Sequence, residues 1–173
     1  MVKSPSILDS KRTSWAMVKI SLRYGFRQKL RVPARAAYAW ATDFRNDDGR
    51  LFSQTMRRSV RRIAEDAIVM TDLTYPEGRP RRIRRLVRMD PQRMSWTNTH
   101  LNGPFRHSQF WYRIVPEGPR ACRLEFDGLM LEDVPKAMSS SEIARRAREN
   151  QVHDSTEWRR CLAPALESEA VAR

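Results

Sequence analysis

The chain has 173 residues, an apolar content of 40% and a formal net charge of +13. This length suits one domain, and the composition is that of a globular protein rather than a disordered one. No apolar run reaches about 18 residues, so we expect no transmembrane helix. The beginning of the chain lacks the apolar centre of a secretory signal, and its two cysteines are too few for a disulfide framework or a zinc site. We therefore expect a cytoplasmic protein without a metal or another cofactor.

The positive charge arises from 33 lysine and arginine residues against 20 aspartate and glutamate residues. A nucleic acid, an anionic membrane surface or an acidic ligand would each be attracted by such a surface. The arginines are spread over several segments, however, and the chain has no zinc-finger spacing, glycine-rich phosphate loop or basic heptad region. Nucleic acid is therefore not an expected partner, and a solvated basic exterior is an alternative explanation of the charge.

The chain is predicted to divide into an extension and one domain. Residues 1–20 are polar without a clear period, so we expect a partly disordered N-terminal extension. Residues 21–173 are predicted to form one domain. Apolar alternation predicts its first strand over residues 21–32. Pro33 ends this strand and can open a short helix, which is predicted over residues 34–44.

A run of strands follows a second short helical turn, which is predicted over residues 50–54. Turns such as Pro76-Glu77-Gly78 and Asn102-Gly103-Pro104 separate segments with alternating apolar positions, a pattern typical of an antiparallel meander. The six predicted strands cover residues 56–65, 67–75, 81–90, 93–101, 105–115 and 121–131. Several arginines alternate with the apolar positions and should fall mainly on the outer, solvated face. These are Arg57, Arg61, Arg82, Arg84 and Arg88.

The last long segment, residues 139–169, is predicted to be an amphipathic helix. Ser139 and Glu142 have the spacing of a capping box at its start. On a helical wheel, the apolar face carries Gln151 and Ser155 near its centre. A buried polar group without a partner costs about 1–3 kcal/mol, so these residues favour a helix that closes a cavity over one packed on a solid core. Alternatively, the two positions face solvent sideways.

The order of elements predicts an α+β fold in which a curved seven-stranded antiparallel sheet wraps around the C-terminal helix, with two short helices after the first strand. One helix cannot fill a strongly curved sheet, so we expect an internal cavity with aromatic walls and a few polar groups. Such a cavity is typical of a small-molecule site. The residues expected to line it include Trp96, Asn98, Phe110, Phe126, Gln151, Ser155 and Trp158.

Several short motifs carry a resemblance to a known family. Val32-Pro33-Ala34 stands at the first strand and helix, and Leu51-Phe52-Ser53 follows an acidic turn. Gly103-Pro104-Phe105 precedes a strand with tryptophan and tyrosine, and Glu125-Phe126-Asp127 lies before the last helix. In this arrangement the chain resembles the START and polyketide cyclase (SRPBCC) superfamily, and within it the single-domain aromatase/cyclases that fold aromatic polyketides.

The resemblance extends over about residues 21–167 and implies the helix-grip fold. It implies a protein that binds a hydrophobic, polyketide-like or polycyclic molecule in its cavity and cyclises or aromatises it. A non-catalytic lipid or quinone carrier is the alternative within the same superfamily. Further candidate partners are an acyl carrier protein attracted by the basic surface and a second copy of the chain in a homodimer.

The resemblance also implies site residues near the start of the domain and in the fourth strand. Trp40 and Phe52 belong to the shared motifs and are expected at the cavity, and Thr55 stands where the aromatase/cyclases have a pocket tyrosine. Their inward-pointing arginine corresponds to Arg85 or Arg88. The apolar alternation of the strand favours Arg85, because a slip of one residue would send each side chain to the other face.

Ring closure of a poly-β-ketone needs an apolar cleft, a donor that polarises a carbonyl, and a weak acid or base for enolisation and dehydration. Arg85, His100, Tyr112 and Asp154 are residue types that suit these roles, and we predict them as the catalytic set. The three histidines of the chain do not have the spacing of a metal site.

Overall fold

The computed structural model describes residues 17–169, in which seven antiparallel strands form one sheet. The strands are β1 (Val18–Leu30), β2 (Arg57–Ala64), β3 (Ala67–Thr74), β4 (Arg81–Asp90), β5 (Ser95–His100), β6 (Gln109–Gly118) and β7 (Ala121–Val134). They lie side by side in the order β1-β7-β6-β5-β4-β3-β2. The predicted seven-stranded sheet is thereby confirmed, and β1 and β2 are its two edges.

Helical segments follow the first and the last strand, as the order of elements predicted. They are α1 (Ala34–Thr42), a 3₁₀ turn (Asn46–Leu51), α2 (Ser140–Glu157), a π turn (Trp158–Leu162) and α3 (Ala163–Glu169). The last three form one continuous C-terminal helix. Its predicted capping box is present, since the Ser139 N–H donates to Glu142 Oε2 at 2.7 Å and the Glu142 N–H donates to Ser139 Oγ at 3.3 Å.

Several predicted boundaries differ from the structure by a few residues, and two of them have a clear physical reason. β1 already begins at Val18, inside the predicted extension, because the long strand β7 offers Val134 as a partner for that residue. The predicted disorder of residues 1–16 lies outside the described part of the chain. The second helical turn covers the acidic turn itself, where Asp48 accepts a hydrogen bond from the Arg45 N–H and caps the turn.

The C-terminal helix packs unevenly along its length. Trp158, Leu162 and Leu166 are buried in one cluster with residues of the sheet and of α1, as predicted for this end of the helix. α2, by contrast, contains no fully buried residue. The half-buried Ala147 is one of the few apolar side chains that connect α2 to the sheet. The C-terminal end of the helix therefore packs on the hydrophobic core, whereas α2 leaves a space between itself and the sheet.

The π turn separates these two parts of the helix. Its last hydrogen bond runs from the Ala163 N–H to the Trp158 carbonyl, one residue further than in an α-helix. Pro164 follows directly, and a proline inside a regular α-helix lacks an N–H and clashes with the carbonyl of the preceding turn. The wider turn thus lets the helix continue past the proline. Within residues 17–169, no helix is both long and apolar enough to cross a membrane.

Candidate functional site

A cavity of about 530 Å³ lies between the concave face of the sheet and the C-terminal helix. Much of its wall is aromatic, because inward positions on β5, β6 and β7 carry large rings. Trp96 and Tyr112 are paired across β5 and β6 and stack with their ring centroids 4.9 Å apart. Phe110 and Phe126 stack with a centroid distance of 5.9 Å. These walls would hold a flat, apolar molecule.

Three charged side chains from neighbouring strands form one end of the cavity. Asp72 of β3 is 1% exposed and accepts two hydrogen bonds from Arg58 of β2, with N–O distances of 2.8 and 3.1 Å. Arg85 of β4 approaches the same carboxylate, with its Nη1 atom 2.9 Å from Oδ2. Two cations thus share one anion, and this end of the cavity keeps an excess of one positive charge.

At this charged end, Arg85 and His100 each have a buried hydrogen-bonding atom without a partner in the described part of the chain. They are direct neighbours across β4 and β5. Arg85 Nε and His100 Nδ1 have no hydrogen-bond partner among the described residues. Burial lowers the pKa of Arg85, but the guanidinium stays protonated at neutral pH. Burial, together with the charge of Arg85, lowers the pKa of His100 to about 4, so that its imidazole is neutral there.

The helix contributes a carboxyl group on the opposite side of the cavity. The Tyr24 hydroxyl donates to Asp154 Oδ2 at 2.8 Å. Burial raises the pKa of Asp154, and the hydrogen bond from Tyr24 offsets part of that rise. Burial also raises the pKa of Glu157, one turn further along α2. Both carboxyl groups on this side of the cavity therefore bind a proton more readily than an exposed carboxyl group does.

The structure brings the predicted catalytic residues together. Arg85, His100, Tyr112 and Asp154 all line the cavity. Arg88 is exposed on the outer face of β4, so the alternation along that strand gave the correct choice between the two arginines. Most of the predicted ligand-binding residues also line the cavity, namely Trp40, Phe52, Trp96, Asn98, Phe110, Phe126 and Trp158.

Three predicted ligand-binding residues lie elsewhere. Thr55 is exposed in the loop before β2, and its hydroxyl lies 3.1 Å from that of Ser53. Gln151 is exposed on the outer side of α2. Ser155 is half-buried, but its hydroxyl donates to the Val152 carbonyl of its own helix at 3.2 Å. The predicted placement of these side chains at the cavity is wrong.

The π turn explains the error on the helix. A π turn contains about one residue more than an α turn, so it turns the following residues back relative to a regular helical wheel. If a regular helical wheel is aligned on the apolar C-terminal end of the helix, it therefore places Gln151 and Ser155 on the side of the cavity. In the structure, Asn150 and Asp154 line the cavity instead. The polar centre of the helix face exists, but it is shifted by one residue.

Sequence reasoning missed other polar residues at the site. Asp72 stands at an inward position of β3, two residues after the buried Met70, and this alternation was the available signal. On β2, Arg58 likewise lies on the same inward side as Val60, two residues further along the strand. Tyr24 belongs to the apolar alternation of β1, so its hydroxyl was overlooked.

One group of side chains near the helix has the composition of a metal site. His153, Asp154 and Glu157 offer ligand atoms within 4.8 Å of one another. His153 is exposed, however, and Asp154 already accepts the hydrogen bond from Tyr24. Burial raises the pKa of Asp154 and Glu157 and so disfavours the carboxylate form that binds a metal, and we assign no metal to this group.

Neither a family model nor a curated protein sequence matches the chain. Solved structures do. The Zhui aromatase/cyclase from Streptomyces sp. R1128 is 15% identical with a TM-score of 0.65, covering 89% of this chain and 96% of that one. A START superfamily protein from Mycobacterium smegmatis is 15% identical with a TM-score of 0.59, covering 87% and 97%. Norcoclaurine synthase from Thalictrum flavum, as a point mutant with a transition-state analogue, is 7% identical with a TM-score of 0.62, covering 89% and 98%.

At these sequence identities, similarity to a solved structure shows a shared fold and nothing further. The chain has the helix-grip fold of START and polyketide cyclase proteins, and the fold that the sequence resemblance implied is confirmed. In such a fold the space between sheet and helix is a natural place for a small molecule.

Proposed function

We propose that the protein binds a hydrophobic, polyketide-like or polycyclic molecule in its cavity and promotes its cyclisation. One observation carries this proposal: an aromatic cavity holds a buried cation and a neutral imidazole at one end and a protonatable carboxyl group at the opposite side. Solved structures of similar fold include an aromatase/cyclase, which is consistent with such a role. Binding of an apolar molecule alone would not need three polar groups of these types.

Each polar group has a step that it can perform. Arg85 donates a hydrogen bond to a ligand carbonyl and stabilises the enolate that forms from it. The neutral imidazole of His100 accepts the proton that leaves the carbon next to this carbonyl. The enolate carbon then attacks a second carbonyl of the same molecule, and the new carbon–carbon bond closes a ring. The alkoxide that this attack creates takes up the proton from His100 and becomes a hydroxyl group. His100 then accepts a second proton from the carbon that carried the enolate, and a protonated Asp154 donates its proton to the departing hydroxyl. One water molecule is thereby lost and a carbon–carbon double bond forms without oxidation or reduction, and transfer of the proton from His100 to Asp154 restores both groups.

Turnover tests the role of Arg85. A minimal aromatic polyketide synthase is incubated with the protein, and cyclised products are quantified by chromatography and mass spectrometry. Arg85→Gln should lower their yield by about 100-fold, since it removes the donor that stabilises the enolate. Arg23→Gln is the control, because Arg23 of β1 is exposed on the outer face of the sheet and does not line the cavity. Equal yields from the two variants would contradict the mechanism.

Binding tests the cavity itself. Fluorescence of 8-anilino-1-naphthalenesulfonate should rise when the probe enters the aromatic space. Asn150→Trp should abolish this rise, because Asn150 lines the cavity, whereas Gln151→Trp should leave it unchanged, because Gln151 is exposed. Probe binding without any cyclisation by the unmodified protein would instead support a lipid or quinone carrier.

The two partners expected from the sequence, an acyl carrier protein and a second copy of the chain in a homodimer, stay predictions.

A further inference from the structure

The outer face of the sheet is divided into two halves that differ in charge pairing. In the half formed by β1, β6 and β7, most of the outward basic side chains have acidic neighbours, and Arg23 and Lys29 of β1 are the exceptions among the described residues. Arg113 and Arg123 both reach Glu125, at 2.6 and 3.0 Å, and Lys19 lies 2.8 Å from Asp133. This half is a compensated, solvated surface of the kind expected on a soluble sheet.

The half formed by β2, β3 and β4 is different. Five exposed arginines point outward from β2 and β4, and no carboxylate of the described residues lies within salt-bridge distance of any of them. We call this group the arginine face: Arg57, Arg61, Arg82, Arg84 and Arg88. These like charges repel one another, so an anionic partner that pairs with them would relieve the repulsion.

A neutral ridge separates the two rows of arginines. Val69, Thr71 and Leu73 of β3 point outward between them and are half-buried. The pairing register places Leu73 directly between Arg57 and Arg82. Since β2 and β4 are two strand spacings apart, the rows are separated by about 10 Å. The ridge from Val69 to Leu73 is about 13 Å long.

We propose that the arginine face docks an amphipathic helix of an acidic partner protein. An α-helix is about 10 Å wide, and about nine of its residues cover 13 Å. Such a helix can lie along β3 with an apolar stripe on Val69 and Leu73 and with carboxylates on both flanks. Arginine pairs with carboxylates through two parallel hydrogen bonds, which favours this geometry.

A nucleic acid fits this surface less well. The outward positions of β2, β3 and β4 carry no aromatic side chain on which a base could stack, and the exposed Tyr75 beyond the end of β3 offers only a single ring. The ridge between the arginine rows would also face the charged backbone with apolar groups. The docking surface lies on the opposite side of the sheet from the cavity, so this inference does not depend on what the cavity binds.

Peptide binding tests the proposal. The probe is a labelled helical peptide of about 18 residues with a leucine stripe flanked by glutamates, and its affinity is measured by fluorescence anisotropy in about 150 mM salt. The combined variant Arg57→Glu with Arg82→Glu should bind it about tenfold more weakly. The control variant Arg23→Glu with Arg27→Glu makes the same charge change on β1 and should stay within about threefold of the unmodified protein.

Two further probes decide between partners. A peptide with the same composition in scrambled order should bind about tenfold more weakly, because its leucines and glutamates are no longer segregated. A tighter complex with an RNA duplex of about 20 base pairs, lost with the same arginine variants, would overturn the proposal in favour of nucleic acid. Equal weakening by the Arg57/Arg82 and Arg23/Arg27 variants, or no peptide binding at about 100 µM, would also overturn it.

Discussion

Lowering the pH should destabilise the fold through His100. Burial, with the charge of Arg85, lowers the pKa of this imidazole from 6.5 to about 4 in the folded protein. The unfolded chain therefore binds a proton in a pH range where the folded chain does not. Linkage then makes the free energy of unfolding increase with pH. The stability contributed by His100 is fully present above about pH 6.5 and is lost as the pH falls towards 4.

The size of this effect follows from the shift. Each pKa unit corresponds to about 1.4 kcal/mol, so the full shift of the His100 pKa changes the free energy of unfolding by about 3 kcal/mol. Between pH 7 and pH 5 the expected loss is about 2 kcal/mol. Asp154 and Glu157 act in the opposite direction, because their raised pKa values favour the folded state as the pH falls. The contribution of His100 therefore has to be isolated by comparison with a variant.

The assay is urea-induced unfolding at pH 7 and pH 5, followed by tryptophan fluorescence. The unmodified protein should lose about 2 kcal/mol more than His100→Gln over this interval, because the variant has no imidazole to protonate. His107→Gln serves as a control, since this side chain is exposed in a turn. If His100→Gln and the unmodified protein show the same pH dependence, the assignment of a buried neutral imidazole is refuted.

Three further predictions concern the charged end, the helix carboxyl and the core. Asp72→Ala should lower the free energy of unfolding by about 3–5 kcal/mol in urea titrations, because two buried arginines lose their shared anion. Tyr24→Phe removes the hydrogen bond to Asp154 and should raise the pKa of that carboxyl further, which carbon-13 NMR of the side chain would measure. Leu162→Ala should cost about 2–5 kcal/mol in the same titrations, since Leu162 is 7% exposed, and an unchanged midpoint would contradict its burial.

The sheet could be predicted from the sequence because its signal repeats every second residue. In β4, the alternation of Ile83, Arg85 and Val87 fixed which arginine faces the cavity, and the pairing of β4 with β5 agrees with it. The capping box at Ser139 fixed the start of the last helix, because the motif needs only two residues at a set spacing. Both signals are local, so neither requires knowledge of the tertiary structure.

The parts that could not be predicted depend on tertiary structure or on departures from regular geometry. Asp72 was overlooked because one acidic residue among apolar neighbours does not show that Arg58 and Arg85 will meet it from adjacent strands. Gln151 was placed at the cavity in place of Asn150 because a helical wheel assumes one period throughout. A π turn changes that period, and the sequence marks it only by the proline that follows.

The division of polar groups between sheet and helix has an energetic reason. A buried arginine–aspartate cluster is tolerable only where its geometry is fixed, and three paired strands hold Arg58, Asp72 and Arg85 in place. Asp154 lies on the part of the helix without fully buried residues and is held by the hydrogen bond from Tyr24. The proposed chemistry needs a permanent cation at one end and a group that exchanges its proton at the other. The permanent charge therefore lies where the backbone is most constrained, and the exchangeable proton lies where the packing permits adjustment to a ligand.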